Sequence, residues 1–179
     1  MKHLIKKILI TNDDGFNAIG LQVLKNIASK FCDDITVVSP KINQSAKSRS
    51  ITLKDNVYFE EKDDCEWIVD GTPTDCVILA LNHIMKNNKP DLILSGINAG
   101  SNIGDEVSYS GTVAAATEGA LRGINSIALS QFGGNDKISS YSCSENNCFE
   151  IINHLLNLKI NSPIYFNVNF PSMISVTET

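Results

Sequence analysis

Short apolar runs alternate with amphipathic segments along most of this chain, and this alternation limits the folds that it can adopt. The predicted strands are KKILITN, DITVVSP, DLILSGI, SIALSQ and IYFNVNF, and the predicted helices are AIGLQVLKNIASKF, VILALNHIM, TVAAATEGALRG and FEIINHLLNL. Apolar residues recur at helical spacing in each helix, and β-branched or leucine residues fill the strands. Since parallel strands need such crossover connections, the pattern predicts an α/β fold with a mostly parallel sheet.

Two segments depart from the alternation. Within residues 40–70 a polar loop, KINQSAKSRS, precedes three short β-like pieces at residues 51–53, 57–60 and 67–69. We predict a small antiparallel β excursion from the main sheet at this point. Ser and Asn dominate residues 139–147, and we predict a surface loop there.

Length, charge and cysteine content narrow the class of protein. A chain of 179 residues suits a single domain over residues 1–179. With 15 basic and 20 acidic side chains, a net charge of -5 and no basic block, long nucleic acid is not an expected partner. No apolar run approaches the length of a membrane span, so no membrane partner is expected either. The five cysteines show no paired spacing, which favours free thiols and a cytoplasmic location.

Two adjacent carboxylates follow the first predicted strand in ILITNDDGF. Asp13 and Asp14 thus stand where a parallel sheet binds ligands, beyond the carboxyl end of a strand. Gly15 lets the chain turn sharply there, so that both carboxylates can converge on one ion. Hard divalent cations such as Mg²⁺ prefer carboxylate oxygens. The residues alone leave two alternatives open, an ordinary turn and a cation site.

A second candidate site lies in residues 94–121, LSGINAGSNIGDEVSYSGTVAAATEGAL. A buried strand opens this segment and a helix closes it. The loop between them offers the amide groups of Asn98 and Asn102. Ser110-Gly111-Thr112 opens a helix whose N-terminal N–H groups suit a phosphate. The alternative is that the glycines only serve turns and Ser110 only caps the helix.

Two further motifs have a structural and a functional interpretation. In DGTPTDC, Thr72 is predicted as an N-cap and Asp75 as its capping-box partner, with Pro73 at the first helical position. The loop at residues 43–50 follows the second predicted strand and should lie beside the acidic pair. Ser45 could add a hydroxyl ligand to a metal, although a solvated loop is the default interpretation of such a segment.

These motifs together resemble the survival protein E (SurE) family of nucleotidases. The resemblance rests on ILITNDDGFNAIGLQVL, SPKINQSAKSRSITL, GTPTDCV and PDLILSGINAGSNIGDEVSYSGTVAAATEG, which occur in the family's order. It implies a Rossmann-like, three-layer α/β fold. It also implies a divalent-metal-dependent phosphatase that hydrolyses nucleoside 5′-monophosphates, with 3′-monophosphates as a further substrate class.

The resemblance also assigns site residues. It places one divalent ion, Mg²⁺ or Mn²⁺, on the ligands Asp13, Asp14, Ser45 and Asn98, and it places phosphate on Asn102, Ser110, Gly111 and Thr112. The cation would neutralise phosphate oxygens and acidify a water molecule. Asp13 would either deprotonate that nucleophile or attack phosphorus itself, and the sequence leaves both routes open.

The family's members continue beyond the point where this sequence stops, with a swapped hairpin and a helix that build a homo-oligomer. We therefore expect a folded chain whose oligomer is in doubt and whose solubility, stability and turnover are reduced.

Other functional classes remain as alternatives. A haloacid-dehalogenase-type phosphatase needs Asp-x-Asp after the first strand, and NDDG breaks that spacing. A receiver-like module needs an Asp after the third strand and a Lys after the fifth, where SGIN and LSQF stand instead. The alternative that the site residues leave open is an inactive relic or a non-catalytic module that binds metal or phosphate.

Overall fold

The computed structural model describes residues 5–158 and 160–172, whose strands form one sheet with helices on both faces. The strands are β1 (Lys7–Thr11), β2 (Asp34–Pro40), β3 (Phe59–Asp63), β4 (Glu66–Val69), β5 (Leu92–Ala99), β6 (Ser126–Gln131) and β7 (Tyr165–Phe170). The helices are α1 (Ile19–Ala28), α2 (Pro73–Leu79), α3 (Gly111–Leu121) and α4 (Ser142–Leu156). No helix within these residues is long and apolar enough to cross a membrane.

The sheet has the order β3-β4-β2-β1-β5-β6-β7, and every neighbouring pair is parallel except β3 with β4. This confirms the predicted α/β, three-layer fold with a mostly parallel sheet and a small antiparallel part. The prediction of one domain over residues 1–179 includes residues 1–4, 159 and 173–179, which lie outside the described ranges, and it stays a prediction.

Alternate residues of the central strand serve the two faces of the sheet. Ile8 and Ile10 of β1 pack with α1 and α4, whereas Leu9 packs with α2 and the adjoining π-helical turn Ala80–Ile84. All three side chains have no exposed surface. Burial on both faces explains why β1 is a continuous apolar run rather than an alternation of apolar and polar residues.

The antiparallel part differs from the prediction at its start. β4 confirms the third β-like piece, and β3 overlaps the second but starts two residues later, at Phe59. Residues 51–53 form no strand, so that piece of the prediction is wrong. The reason is a competing hydrogen-bond partner. Thr52 donates its N–H to Asp75 Oδ1 at 3.0 Å and its hydroxyl to Asp75 Oδ2 at 2.7 Å, instead of joining a strand ladder. The neighbouring Leu53 remains 81% exposed.

The prediction of a surface loop over residues 139–147 is also wrong. A 3₁₀ turn at Ile138–Tyr141 leads directly into α4, which starts at Ser142. Its small side chains Cys143, Ser144 and Cys148 are buried against the core. The Ser144 N–H donates to Gln131 Oε1 at 3.0 Å, which anchors the first turn to the end of β6. Tertiary packing therefore overrides the low helix propensity of a Ser- and Asn-rich segment.

Candidate metal and phosphate site

The acidic pair lies at the carboxyl end of β1, in the centre of the sheet. Gly15, with φ +98°, turns the chain there, and Asn12 Nδ2 donates to the Gly15 carbonyl at 2.8 Å. Asp14 Oδ2 accepts the N–H of Ala99, the last residue of β5, at 3.0 Å. The Asp13 carbonyl accepts the Gln44 N–H at 2.7 Å. The backbone of Asp13 is thus tied to the loop that follows β2, and the carboxylate of Asp14 is tied to the end of β5.

Asp13 is the more enclosed of the two carboxylates, with 3% of its surface exposed. The Thr112 hydroxyl donates to its Oδ1 at 2.5 Å. A Cβ at Gly111 would stand 2.8 Å from Asp13 Cβ and 2.9 Å from its Oδ2. Only glycine therefore allows the start of α3 to approach this carboxylate so closely.

The charges of the pair are not compensated within the described residues. Burial raises the pKa of Asp13 to about 6. The hydrogen bond from Thr112 lowers this pKa and the repulsion from Asp14 raises it, and burial is the largest of the three effects. Burial also raises the pKa of Asp14, against the hydrogen bond from Ala99. In residues 5–158 and 160–172, no Lys, Arg or His forms an ion pair with either carboxylate. A cation would relieve this cost of burial.

Two other predicted ligands border the same cavity as Asp13, which has a volume of about 600 Å³. Asn98 Nδ2 donates to the Gly100 carbonyl at 3.0 Å, so the oxygen of the amide remains as a ligand atom. The Ser45 N–H donates to Asn43 Oδ1 at 2.7 Å, and this Asx turn positions the Ser45 side chain at the cavity.

The loop that carries Ser45 is fixed at several points. Gln44 binds the backbone of Asp13, as described above. Farther along, Ser48 donates its N–H to the Tyr109 carbonyl at 2.9 Å and its hydroxyl to the Ser108 carbonyl at 2.7 Å. The loop is therefore attached to the segment that leads into α3, although its side chains are mostly exposed.

The predicted phosphate residues lie along another part of the cavity. Ser110 Oγ accepts the Val113 N–H at 3.1 Å, which confirms Ser110 as the N-cap of α3. Both Asn102 and Ser110 border the cavity, whereas Gly111 and Thr112 are buried behind Asp13. The N-terminus of α3 contributes positive partial charge at this side of the cavity.

Asn102 is held by residues that sequence reasoning missed. Its Nδ2 donates to Ser130 Oγ at 2.8 Å, and its N–H donates to Asn169 Oδ1 at 2.8 Å. Its carbonyl accepts Asn167 Nδ2 at 2.8 Å. Asn167 and Asn169 alternate in FNVNF, and that period of two was the available signal that one polar face of β7 points toward a site.

Glu106 is a further residue that was missed. Its Oε2 accepts the Ser101 hydroxyl at 3.0 Å and the Ile103 N–H at 3.2 Å. These bonds fix the loop between β5 and α3. The predicted capping box is confirmed: Thr72 Oγ1 accepts the Asp75 N–H, and Asp75 Oδ2 accepts the Thr72 N–H. That motif therefore starts α2 and anchors Thr52.

The structure thus groups most, but not all, of the predicted site residues around one cavity. Asp13, Ser45, Asn98, Asn102 and Ser110 border it. Asp14 borders an adjacent cavity of about 460 Å³, with Ala99 common to the two. The roles assigned to these residues stay predictions.

The donor set fits a hard divalent cation. It consists of two carboxylates, a hydroxyl and an amide oxygen, and such oxygen ligands suit Mg²⁺ or Mn²⁺. No cluster of three or more His, Cys, Asp or Glu side chains suited to a metal occurs in the part of the chain that the structure describes. The four side chains of the donor set offer oxygen atoms and neither thiolate nor imidazole, so they match an oxygen-bound ion.

The fold and the site define a Rossmann-like α/β protein with an acidic cavity at the carboxyl edge of its sheet. The family model described as "Survival protein SurE" matches residues 8–179. The chain belongs to the SurE family, which confirms the resemblance found in the sequence.

Individual relatives agree with this assignment. A protein named 5′-nucleotidase SurE from Beijerinckia indica is 47% identical over 171 residues, covering 93% of this chain and 65% of the relative. Its namesake from Paramagnetospirillum magneticum is 44% identical and covers 97% and 66%. The crystal structure of the SurE protein from Aquifex aeolicus matches with a TM-score of 0.84 and 38% identity, covering 93% of this chain and 66% of that one. This chain thus spans just under two thirds of these relatives' length.

Proposed function

We propose that this chain is a divalent-metal-dependent phosphomonoesterase that hydrolyses nucleoside 5′-monophosphates, and also 3′-monophosphates, to nucleoside and phosphate. The observation that carries the proposal is the placement of Asp13, Ser45 and Asn98 around the same cavity as the N-terminus of α3. Oxygen ligands for a cation and N–H groups for a phosphate thus meet at one place. Relatives named 5′-nucleotidase support the substrate class.

Asp13, Asp14, Ser45 and Asn98 would hold one Mg²⁺ or Mn²⁺ ion. When bound, such an ion supplies charge neutralisation at phosphate oxygens and lowers the pKa of a water molecule. The carboxylates supply most of the attraction, since both are partly or wholly removed from water and neither has a basic partner among the described residues.

The phosphate would lie against the first turn of α3. Ser110 caps that turn, and the backbone of Gly111 and Thr112 brings it against Asp13. The helix N-terminus then offsets the negative charge that Asp13 and Asp14 present to an anionic substrate. Asn102 is fixed by Ser130 and by β7, and it would donate the second hydrogen of its Nδ2 to a phosphate oxygen.

Asp13 is the residue we assign to the reaction. Its position is fixed by the hydroxyl of Thr112. Burial raises the pKa of its carboxyl in the metal-free chain to about 6, which is the direction that suits a general base. It would accept the proton of the attacking water. Direct attack by Asp13 on phosphorus is the competing route, and trapping of an aspartyl phosphate in acid-quenched samples would identify it.

Phosphate release from a panel of 5′- and 3′-monophosphates, with Mg²⁺, with Mn²⁺ and with chelator, tests the proposal. We expect release with either ion and none after exhaustive chelation. Asp14→Asn should reduce release strongly, whereas Asp105→Asn, a matched change at an exposed carboxylate nearby, should not. Release that persists under chelation would refute the metal requirement. Absence of release under every condition would favour a non-catalytic binding module.

The assembly state and location stay predictions. Light scattering on the assayed sample would give the mass of the species that carries activity. It would thereby test whether this chain forms a homo-oligomer. Cell fractionation would test the cytoplasmic location.

A further inference from the structure

Two aromatic rings border the cavity of the proposed site and remain largely in water. Tyr109 is 64% exposed and Phe132 is 58% exposed, and both line the cavity of about 600 Å³ that also contains Asp13. Single exposed apolar side chains are common on protein surfaces, but aromatic rings that line one cavity are typical of a ligand-binding site. Tyr109 precedes α3 and Phe132 follows β6, and both rings line the same cavity. This placement suits a ligand that packs on both rings.

The backbone of both residues is fixed even though their rings are exposed. The Tyr109 N–H donates to the Glu106 carbonyl at 3.0 Å, and the Tyr109 carbonyl accepts the Ser48 N–H at 2.9 Å. The Phe132 N–H donates to the Phe170 carbonyl at 2.9 Å, directly after β6. The rings are therefore presented from rigid positions, which lowers the entropy lost when a ligand packs on them.

Tyr109 also immediately precedes Ser110, the cap of α3. A ligand whose phosphate lies at the first turn of α3 would extend the rest of its structure past this ring. The cavity is much larger than a phosphate requires, and its volume lies in the range of small-molecule pockets. Because both rings line the cavity that also contains Ser110, a flat aromatic group of the same ligand would pack on them there.

We infer that Tyr109 and Phe132 form a stacking platform for the nucleobase of the substrate. This inference rests on the proposed function and specifies how the nucleoside part is recognised. Stacking on a ring accepts every base because each base has a π-face. The platform should therefore favour nucleotides over base-free phosphate esters while discriminating weakly among the four bases.

The test compares adenosine 5′-monophosphate with ribose 5-phosphate, which has the same sugar phosphate but no base. For Tyr109→Ala and for Phe132→Ala, we expect kcat/KM for the nucleotide to fall about tenfold more than kcat/KM for ribose 5-phosphate. Tyr109→Phe should retain most of the preference because it keeps the ring. Tyr58→Ala, which removes a ring of matched exposure (68%) outside this cavity, should leave both parameters as in the parent.

Equal losses on both substrates, or no loss, would overturn the inference. A change of mass in Tyr109→Ala without a change in substrate preference would also overturn it, since the rings would then serve contact between chains. If the parent released no phosphate from either ester, the proposed function would fail separately. Adenosine binding, measured by saturation-transfer NMR, would then test the platform by itself. Weaker binding in Tyr109→Ala than in the parent supports the platform, and equal binding refutes it.

Discussion

Replacement of Asp13 by Asn should stabilise the metal-free protein while it abolishes turnover. The carboxylate is almost wholly buried and has no basic partner among the described residues, so its charge is costly without a cation. Asn has nearly the same shape and keeps an oxygen that can accept the hydrogen bond from Thr112. The substitution therefore removes the charge and retains the packing.

The magnitude follows from the pKa. Burial raises the pKa of Asp13 from 3.8 to about 6, and this difference corresponds to about 3 kcal/mol. Between these two pH values the folded state binds the proton more tightly than the unfolded chain does. The stabilising contribution is thus complete below pH 3.8 and is lost as the pH rises to about 6. Above that pH, Asp13→Asn should raise the free energy of unfolding by up to about 3 kcal/mol.

The measurement is urea unfolding in chelator between pH 4 and pH 8. The fluorescence of Trp67, the single tryptophan, reports the unfolding. Asp75→Asn is the control, since that buried carboxylate accepts bonds from Thr52 and Thr72 and its substitution should destabilise the protein. Added Mg²⁺ should stabilise the parent more than Asp13→Asn. If Asp13→Asn were less stable than the parent at pH 7.5 in chelator, the charge of Asp13 would already be compensated in the metal-free protein, and the prediction would be wrong.

Three further substitutions test the site. Asp14→Asn should weaken Mg²⁺ binding at least about tenfold in calorimetry and leave the circular dichroism spectrum unchanged, because this residue contributes charge rather than packing. Thr112→Val removes a bond that lowers the pKa of Asp13, so the acidic limb of the pH–rate profile should move to higher pH, and an unmoved limb would argue against Asp13 as the base. Gly111→Ala should cost about 1–3 kcal/mol in chemical denaturation, since its Cβ would press on Asp13 and Pro73.

The sequence predicted the features that depend on local pattern. Apolar runs and helical periodicity predicted the parallel core, and the rule that ligands bind at carboxyl strand ends indicated a site at Asp13. The resemblance to the SurE family added Asn98 to that site. The caps at Thr72 and Ser110 followed from residue type and spacing alone. Each of these features is determined within a few residues of the chain or by the sheet topology.

The features that escaped prediction depend on distant partners. Thr52 leaves the sheet because Asp75 binds it, and the first turn of α4 forms because Gln131 accepts the Ser144 N–H. The support of Asn102 by Asn169 spans 67 positions. No window of local sequence contains both members of these pairs, so propensity and periodicity cannot report them.

The loop between β5 and α3, which contains Asn102, depends on β7 for its final position during synthesis. The loop occurs midway along the chain, but the side chains that hold its backbone, Asn167 and Asn169, are translated more than 60 residues later. A nascent chain that has formed β1 and β5 can bring the acidic pair together, yet this loop reaches its final position only after β7 has docked beside β6. On the ribosome, affinity for a cation should therefore appear before affinity for a phosphate.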